Sequence, residues 1–249
     1  MLYIVATPIG NLEDITLRAL RVLREVDFVL CEDTRVTSRL LKKYDISTKT
    51  ISYHQHSKIQ KIEHILDLLA KGEEIALVTD AGTPGISDPG GKLVQAVIER
   101  FHDEMKIESV PGPSAVTAAL SISGIPTDKF IFMGFPPHKK GRQTFIRNII
   151  DSVYPVVVYE SKHRIVKLLD QLADANLKIK EDNLKIEVGQ KYKKGEEKKK
   201  IIPVSSIVIC RELSKMHETV YRGELKTITE KIKENAMDQK GEFVVIIGR

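Results

Sequence analysis

The chain has few cysteines and no long apolar run, and these two absences exclude several classes of protein. Only Cys31 and Cys210 occur among 249 residues, each inside an apolar stretch and without a C-x-x-C pair. This usage excludes a disulfide scaffold, offers no zinc motif and suits a reducing cytoplasm, so we expect two buried thiols in a cytoplasmic protein. Apolar stretches such as 204–210 are far shorter than the roughly 20 residues of a membrane span. We therefore expect neither a membrane span nor a signal peptide.

The remaining composition is that of an ordinary globular protein. Hydrophobic residues make up 42% and charged residues 29%, with 15 glycines and 10 prolines, which excludes collagen-like and disordered classes. The net charge of +5 is unevenly placed, because residues 61–130 carry −5 whereas 131–170 and 178–200 carry +4 each. A basic segment fits nucleic acid but is as often a solvated loop. The distribution of charge is therefore more informative than its sum.

Short apolar runs alternate with longer amphipathic stretches, which predicts βαβ units and a mostly parallel sheet in the first 110 residues, followed by a second α/β unit. The predicted strands are 2–6, 27–31, 50–53, 75–78, 107–110, 130–135, 156–159, 204–210 and 242–247. The predicted helices are 16–26, 38–44, 59–70, 92–101, 114–123, 142–150, 163–173 and 227–236. Residues 178–200 hold nine lysines and five acids without apolar periodicity, so we expect an extended hairpin or a mobile insertion there.

Four unusual loops follow predicted strands, and an open parallel sheet binds ligands at the carboxyl ends of its strands. These loops are 6–14, 31–35, 79–91 and 110–115. None matches G-x-G-x-x-G, G-x-x-x-x-G-K-[ST] or G-x-S-x-G, so a common dinucleotide, phosphate or serine-hydrolase site is not supported. The loops contain Arg35, with Lys92 just after them, and no other lysine or arginine. This favours a neutral or cationic ligand over a polyphosphate, and a carboxylate such as Asp80 would suit a sulfonium.

Eight motifs in order resemble one known family. They are LYIVATPIGNLEDITLRAL, EDTR, SYHQHS, LVTDAGTPGISDPG, VPGPSA, GIPTDKFIFMGF, YESKHR and CRELSKMHETVYRG. Together they cover nearly the whole chain and resemble the ribosomal RNA small subunit methyltransferase I family of the tetrapyrrole methylase superfamily. That family 2′-O-methylates a cytidine ribose in 16S rRNA. The segment 178–200 departs from the resemblance, because the family's connection there is usually shorter.

The resemblance implies an α/β chain of two αβα domains and a homodimer. Residues 1–112 would have a mostly parallel sheet, and residues 113–249 a mixed sheet with the lysine-rich insertion 178–200. S-adenosyl-L-methionine would bind in the cleft between the domains, and the partner would be 16S rRNA or the small ribosomal subunit. Carried over by motif, the cofactor-binding residues are Pro8, Ile9, Asp80, Ala81, Gly82, Thr83, Ile86, Ser114, Ala115, Tyr159 and Glu160.

Transfer of a methyl group to a ribose hydroxyl is helped by a general base and needs no metal. The candidate bases are Glu32, Asp33, Asp80, Glu160 and Glu212. We place Asp33 with Arg35 first, because acid and guanidinium lie two residues apart at one strand end, and we keep Glu160 as a further catalytic candidate. The pair His54 and His56 has no third ligand at a suggestive spacing, so no metal site is expected.

RNA recognition requires cations that contact phosphate. The segment 137–142 follows a predicted strand, so Lys139, Lys140 and Arg142 are the first candidates. Arg164, Arg211 and Lys215 are further candidates in the second half. We expect RNA to meet the second domain and the first domain to hold most of the methyl donor.

Two other functions remain open on the sequence. One is a tetrapyrrole or other small-molecule methylase of the same superfamily, which would require a roomy apolar cleft. The other is a catalytically idle RNA-binding or ribosome-assembly protein, which would not bind S-adenosylmethionine.

Overall fold

The computed structural model describes residues 1–54, 59–187 and 202–248, and the chain divides into two compact units. Unit 1 is Met1–Ala115 and unit 2 is Val116–Arg249. The division lies three residues after the boundary expected from the sequence, at the first residue of a helix.

Unit 1 has a fully parallel sheet, as the alternating pattern predicted. The strands are β1 (Leu2–Val5), β2 (Phe28–Cys31), β3 (Lys49–Ser52), β4 (Ile75–Leu77) and β5 (Ile107–Val110), in the order β3-β2-β4-β1-β5. The helices are α1 (Leu17–Glu25), α2 (Thr34–Lys43), α3 (Ile59–Ala70) and α4 (Gly91–Phe101), with 3-10 turns at Leu12–Asp14 and His102–Glu104.

Helices cover both faces of this sheet. Successive side chains of a strand point to opposite sides, so each strand contributes residues to both cores. On β2, Val29 and Cys31 pack into the core formed with α1 and α2, whereas Leu30 packs into the core formed with α3 and α4. Burial of both faces explains why the inner strands β1, β2 and β4 are almost entirely apolar or aromatic, whereas the edge strands β3 and β5 also carry polar residues.

Unit 2 has a mixed sheet, which confirms the second part of the predicted fold class. Its elements are α5 (Ala115–Ser121), β6 (Ile131–Phe132), α6 (Arg142–Asp151), β7 (Val156–Ser161), α7 (Ile165–Glu187), β8 (Ser206–Arg211), β9 (Thr219–Gly223), α8 (Leu225–Glu234) and β10 (Glu242–Gly248). The strand order is β6-β7-β10-β8-β9, with β6 parallel to β7 and the other pairs antiparallel.

The largest difference from the predicted elements is in α7, which continues to Glu187 instead of ending at residue 173. Residues 178–187 are therefore helical and do not form a hairpin, and residues 188–200 lie outside the described part of the chain. Buried Leu172, Asn176 and Ile179 recur at helical spacing on the core side. The Asn176 amide donates to the Val204 carbonyl at 3.0 Å and accepts from the Val204 amide at 2.8 Å. The polar Asn176 interrupts the apolar spacing of this face, so the sequence did not show it.

Three smaller differences concern β9, β6 and α2. The strand β9, in which Tyr221 is the most deeply buried side chain, was not predicted, and β6 is shorter than the predicted 130–135. The helix α2 begins four residues earlier than predicted, because Asp33 caps its first turn.

Both cysteines are buried, as expected: Cys31 ends β2 and Cys210 lies in β8. Within the described residues, no helix combines the length and hydropathy that crossing a bilayer takes.

Candidate functional site

The carboxyl edge of the unit 1 sheet brings together three of the four loops singled out in the sequence. Thr7 and Gly82 form an antiparallel bridge, in which each amide donates to the other's carbonyl at 2.9 and 3.0 Å. The Thr7 hydroxyl also donates to the Thr79 carbonyl at 2.9 Å. The Thr83 hydroxyl donates to the Pro113 carbonyl at 3.4 Å. The loops after β1, β4 and β5 are therefore one connected surface.

Two glycines give the loop 79–91 its path. Gly82 has φ +86°, and a Cβ there would lie 3.7 Å from Ile9 Cγ2. Gly90 has φ +148°, and a Cβ there would lie 3.1 Å from Leu77 Cδ2 and 3.1 Å from the Gly85 amide nitrogen. A side chain at residue 90 would thus be both strained and crowded. The bend that starts α4 depends on that glycine.

The fourth loop, after β2, joins the same edge through Asp33. The Asp33 amide donates to Asp80 Oδ1 at 3.1 Å, and the Asp33 carboxylate accepts from the Arg35 amide at 2.8 Å. Arg35 Nη2 also donates to Asp33 Oδ2 at 2.7 Å. Hydrogen bonds from the Arg35 side chain and amide lower the pKa of Asp33 to about 2. Asp33 is therefore a helix cap held by Arg35, and a carboxylate of such low pKa is a weak general base.

Two carboxyls at this edge, Asp88 and Glu32, have raised pKa values. Burial, together with the nearby charges of Glu32 and Asp80, raises the pKa of Asp88 to about 6. Burial and the charge of Asp80 also raise the pKa of Glu32, which His54 opposes. Asp88 was not among the residues chosen from the sequence, although it lies in the predicted ligand loop 79–91 between Ser87 and Pro89. A carboxyl among glycines and prolines in such a loop is the signal that would have found it.

The donor-binding residues implied for unit 1 all lie on these connected loops, with differing exposure. Pro8 and Gly82 are buried, and Ile9, Thr83, Ser114 and Ala115 are half-buried. Asp80, Ala81 and Ile86 are exposed. The small side chain of exposed Ala81 lets a ligand approach the backbone there, and the carboxyls give the edge a negative charge. These loops, with their carboxyls and their small residues, fit a cationic sulfonium and do not favour a polyanion.

A basic groove on α2 was missed from the sequence. It is lined by Thr34, Arg35, Ser38, Arg39 and Lys42. Arg35, Arg39 and Lys42 recur at helical spacing, so their side chains share one face. The helix predicted from the sequence began at residue 38 and so left out Arg35, yet this face gives unit 1 a cationic surface of its own.

In unit 2, Glu160 is the centre of a buried ion-pair network. Its side chain is fully buried and lies 2.9 Å from Arg164 Nη2 and 3.5 Å from Arg142 Nη2. Arg142 also donates to Gln171 Oε1 at 2.6 Å and to the Pro137 carbonyl at 3.2 Å. Arg164 donates to the Pro136 carbonyl at 3.0 Å. A carboxylate enclosed by two guanidiniums is a structural ion pair and is poorly placed to accept a substrate proton or contact a cofactor.

This network changes the expected roles of the cations beside it. Arg142 is only 3% exposed, so its guanidinium is not available to an RNA phosphate, contrary to expectation. Arg164 is half-buried and engaged with Glu160. Lys139 and Lys140 are exposed on the turn that precedes α6, as an RNA-contacting role requires.

The loop after β8 likewise uses its cations internally. Arg211 is 7% exposed and donates to the carbonyls of Lys240 at 2.6 Å and His217 at 3.1 Å. Lys215 pairs with Glu212 at 3.0 Å and Glu242 at 2.8 Å. Neither cation is placed as a phosphate contact. They hold a loop in which the non-glycine residues Glu212 and Ser214 have φ of +53° and +67°.

Tyr159 belongs to a row of aromatic rings at the carboxyl end of β7. Its ring centroid lies 4.9 Å from that of Phe132, edge to face, and 5.3 Å from that of Phe135. The main chain is fixed there, because the Tyr159 amide donates to the Gly134 carbonyl at 2.9 Å. The surroundings of Tyr159 are thus aromatic, whereas those of neighbouring Glu160 are ionic.

Across residues 1–54, 59–187 and 202–248, no three histidine, cysteine or acidic side chains gather as metal ligands. His54 is described and exposed, but its predicted companion His56 lies outside these ranges.

Comparisons with known proteins agree with this architecture. Residues 1–229 match the family Tetrapyrrole (Corrin/Porphyrin) Methylases. A Hydrogenobaculum protein named ribosomal RNA small subunit methyltransferase I is 39% identical over 250 residues, covering 100% of this chain and 95% of the relative. A Vibrio cholerae protein of the same name is 41% identical, covering 99% of this chain and 76% of the relative.

Among solved structures, a cobalt precorrin-4 methyltransferase of cobalamin biosynthesis, CbiF, shares the fold. It has a TM-score of 0.63 at 18% identity, covering 99% of this chain and 94% of that one. With a match over nearly its full length and identities near 40%, the chain belongs to the tetrapyrrole methylase family of methyltransferases, within the group of ribosomal RNA small subunit methyltransferase I proteins.

Proposed function

We propose that this chain uses S-adenosyl-L-methionine to methylate the 2′-hydroxyl of a cytidine ribose in 16S rRNA. The observation that carries the proposal is the acidic, glycine-rich edge of unit 1, where Asp80 and Asp88 lie in the loop after β4 and Glu32 follows β2. The substrate is taken from the names of relatives 39% and 41% identical.

The methyl donor would be held by Pro8 and Ile9 after β1, by residues 80–83 and Ile86 after β4, and by Ser114 and Ala115 after β5. When bound, the donor supplies an electrophilic methyl carbon and a neutral leaving group. The charge of Asp80 favours a cation at this edge, and the bridge between Thr7 and Gly82 keeps two of the loops in register. In unit 2, Tyr159 keeps its proposed donor contact, whereas the buried Glu160 does not.

Asp88 replaces Asp33 as the proposed proton acceptor. A general base works best when its pKa is near the working pH. The pKa of Asp88 is raised to about 6, whereas that of Asp33 is lowered to about 2. Since Asp88 must be ionised to accept a proton, methyl transfer is expected to rise with pH through about 6.

Lys139 and Lys140 remain the proposed phosphate contacts in unit 2, and Arg39 and Lys42 are added in unit 1 because they line the groove on α2. The resemblance also leads us to propose a homodimer. A ribosomal substrate implies a cytoplasmic location.

The test is transfer of a tritiated methyl group to small ribosomal subunits from a strain that lacks the corresponding methyltransferase. We expect incorporation into 16S rRNA, and nuclease mapping to place it on a cytidine ribose. Free 16S rRNA is the parallel substrate, and a tetrapyrrole is the competing one. Label on the tetrapyrrole alone, or no binding of S-adenosylmethionine by calorimetry, would contradict the proposal.

A further inference from the structure

Phe135 is an exposed aromatic residue to which the proposed reaction assigns no role. Its side chain is 50% exposed, three residues beyond β6. The ring packs against Tyr159 at a centroid distance of 5.3 Å and a tilt of 57°. Phe132 also packs against Tyr159, edge to face at a centroid distance of 4.9 Å. Phe135 is therefore supported by Tyr159 and also presents surface to solvent.

The chain after Phe135 is held rigidly by buried charge. The carbonyls of Pro136 and Pro137 accept hydrogen bonds from Arg164 and Arg142, and both guanidiniums pair with Glu160. Buried ions are costly to separate, so this anchoring keeps the loop in one conformation. The network fixes the loop through the carbonyls of the two prolines, and its carboxylate, Glu160, is buried and so does not repel a phosphate at the surface.

Directly after these prolines the loop carries three exposed basic side chains, His138, Lys139 and Lys140. They follow Phe135 within five residues, and the turn ends at Gly141, which has φ +84° and precedes α6. An exposed ring and adjacent cations thus lie on one rigid segment.

An aromatic ring beside cations is the usual means of binding single-stranded nucleic acid, in which bases stack on the ring and phosphates meet the cations. A duplex keeps its bases stacked inside, so it cannot use the ring. We propose that Phe135 stacks on an unpaired RNA base while Lys139 and Lys140 contact neighbouring phosphates. This proposal deepens the proposed function and rests on it for the choice of RNA as partner.

The chain contains no tryptophan, which makes the stacking directly observable. A Phe135→Trp variant would carry a single indole at the proposed contact. The matched control is Tyr154→Trp, because Tyr154 is 40% exposed and precedes the amino end of β7, whereas Tyr159 lies near its carboxyl end. The probes are an unstructured cytidine-containing RNA oligonucleotide and the same strand annealed to its complement.

We expect the single strand to quench most of the fluorescence of Phe135→Trp, while the duplex and the Tyr154→Trp variant show little change. Equal quenching in the two variants, equal quenching by strand and duplex, or none at all would overturn the proposal. Quenching by S-adenosylmethionine alone would place the ring in the donor site and would also overturn it.

Alanine substitution gives the affinity. Phe135→Ala should weaken single-strand binding about tenfold, because stacking on an aromatic ring contributes roughly 1–3 kcal/mol per base. Phe135→Tyr should bind like the unmodified chain and unfold like it in urea, and Phe135→Ala, which loses the contact with Tyr159, should still be folded under the binding conditions. Binding by Phe135→Ala equal to that of the unmodified chain would refute a stacking role.

Quenching does not depend on methyl transfer, so the two proposals fail separately. If the unmodified chain methylates small subunits and Phe135→Trp is not quenched, the stacking proposal alone is wrong. If no methyl transfer occurs and the single strand still quenches the variant, the stacking proposal stands and the proposed reaction is wrong.

Discussion

Asp80 in unit 1 and Glu160 in unit 2 both lie at the carboxyl end of an apolar strand, but their surroundings are opposite. Asp80 is exposed and lies near Glu32 and Asp88, whose pKa values are raised mainly by burial and further by neighbouring negative charge, including that of Asp80. Glu160 is 1% exposed and enclosed by Arg142 and Arg164. A carboxyl after a buried strand can therefore serve a ligand or the fold, and its neighbours decide which.

The largest expected effect comes from breaking the network in unit 2. Glu160→Ala leaves the Arg142 guanidinium buried without its counter-ion, so we expect a loss of roughly 3–5 kcal/mol in the free energy of unfolding. Asp80→Ala in unit 1 should cost about 1 kcal/mol or less, because its side chain is exposed and accepts one backbone hydrogen bond. Urea unfolding of both variants measures the difference. Equal losses would remove the contrast between the two carboxyls.

A smaller effect should follow from a side chain in the ligand loop of unit 1. Gly90→Ala combines a positive φ with two contacts of 3.1 Å, so we expect about 2 kcal/mol of destabilisation and about tenfold weaker binding of S-adenosylmethionine. Gly72→Ala is the matched control, because Gly72 also has a positive φ but no atom near its Cβ position. Calorimetry gives the affinities. If Gly90→Ala binds S-adenosylmethionine as tightly as the unmodified chain, the loop 79–91 does not form part of the donor site.

The pH dependence of unfolding tests the acidic edge. The pKa of Asp88 is about 6 in the fold against 3.8 for the ordinary group, so the fold favours the neutral form. Stability therefore falls as pH rises from about 3.8 to about 6. Asp88→Asn should raise the free energy of unfolding above that pH by about 1 kcal/mol, a value discounted because water screens a half-buried carboxyl.

Near pH ~3.5 the Asp88→Asn variant should match the unmodified chain. Asp103→Asn, on an exposed turn, is the control and should behave like the unmodified chain throughout. A constant difference across the pH range would show that burial and like charge at the edge do not explain the effect. The same variant should lose the rise of methyl transfer with pH, if Asp88 accepts the proton.

The smallest expected effect is on RNA affinity and separates the cationic surfaces of the two units. Lys139→Ala with Lys140→Ala removes two phosphate contacts, so the slope of log affinity against log salt should become shallower by about 1.4. At about 0.5 M salt we expect affinity to fall about threefold, with donor binding unchanged. Arg39→Ala with Lys42→Ala is the matched pair in unit 1. If RNA affinity falls only in the Arg39→Ala, Lys42→Ala variant, the phosphate contacts lie in unit 1 and not at Lys139 and Lys140.

The sequence predicted most elements because their apolar spacing is regular. The bounds of α3 and β5 were predicted to the residue. The extension of α7 was missed because its buried face includes Asn176, whose partner Val204 is 28 residues away. The short strand β9 was missed because Tyr221 is its only fully buried residue.

For the site, the sequence predicted the position of the loops more accurately than the roles of the individual carboxyls on them. The loops after β1, β4 and β5 were singled out, and the structure connects them. The role of Asp33 as a helix cap and the raised pKa of Asp88 depend on which groups meet across the sheet edge. Such encounters between distant residues leave no local pattern in the sequence.

The sequence by itself determined the two α/β units, the loops at the carboxyl ends of the strands and the methyltransferase family, because periodicity and motifs are local properties of the chain. Only the tertiary structure decided which charges remain open to a ligand. Arg142, Arg211 and Glu160 look like any other charged residues in sequence, yet each is buried with partners far along the chain. Burial and pairing are set by residues that meet through folding, and they decide whether a charge supports the fold or binds a substrate.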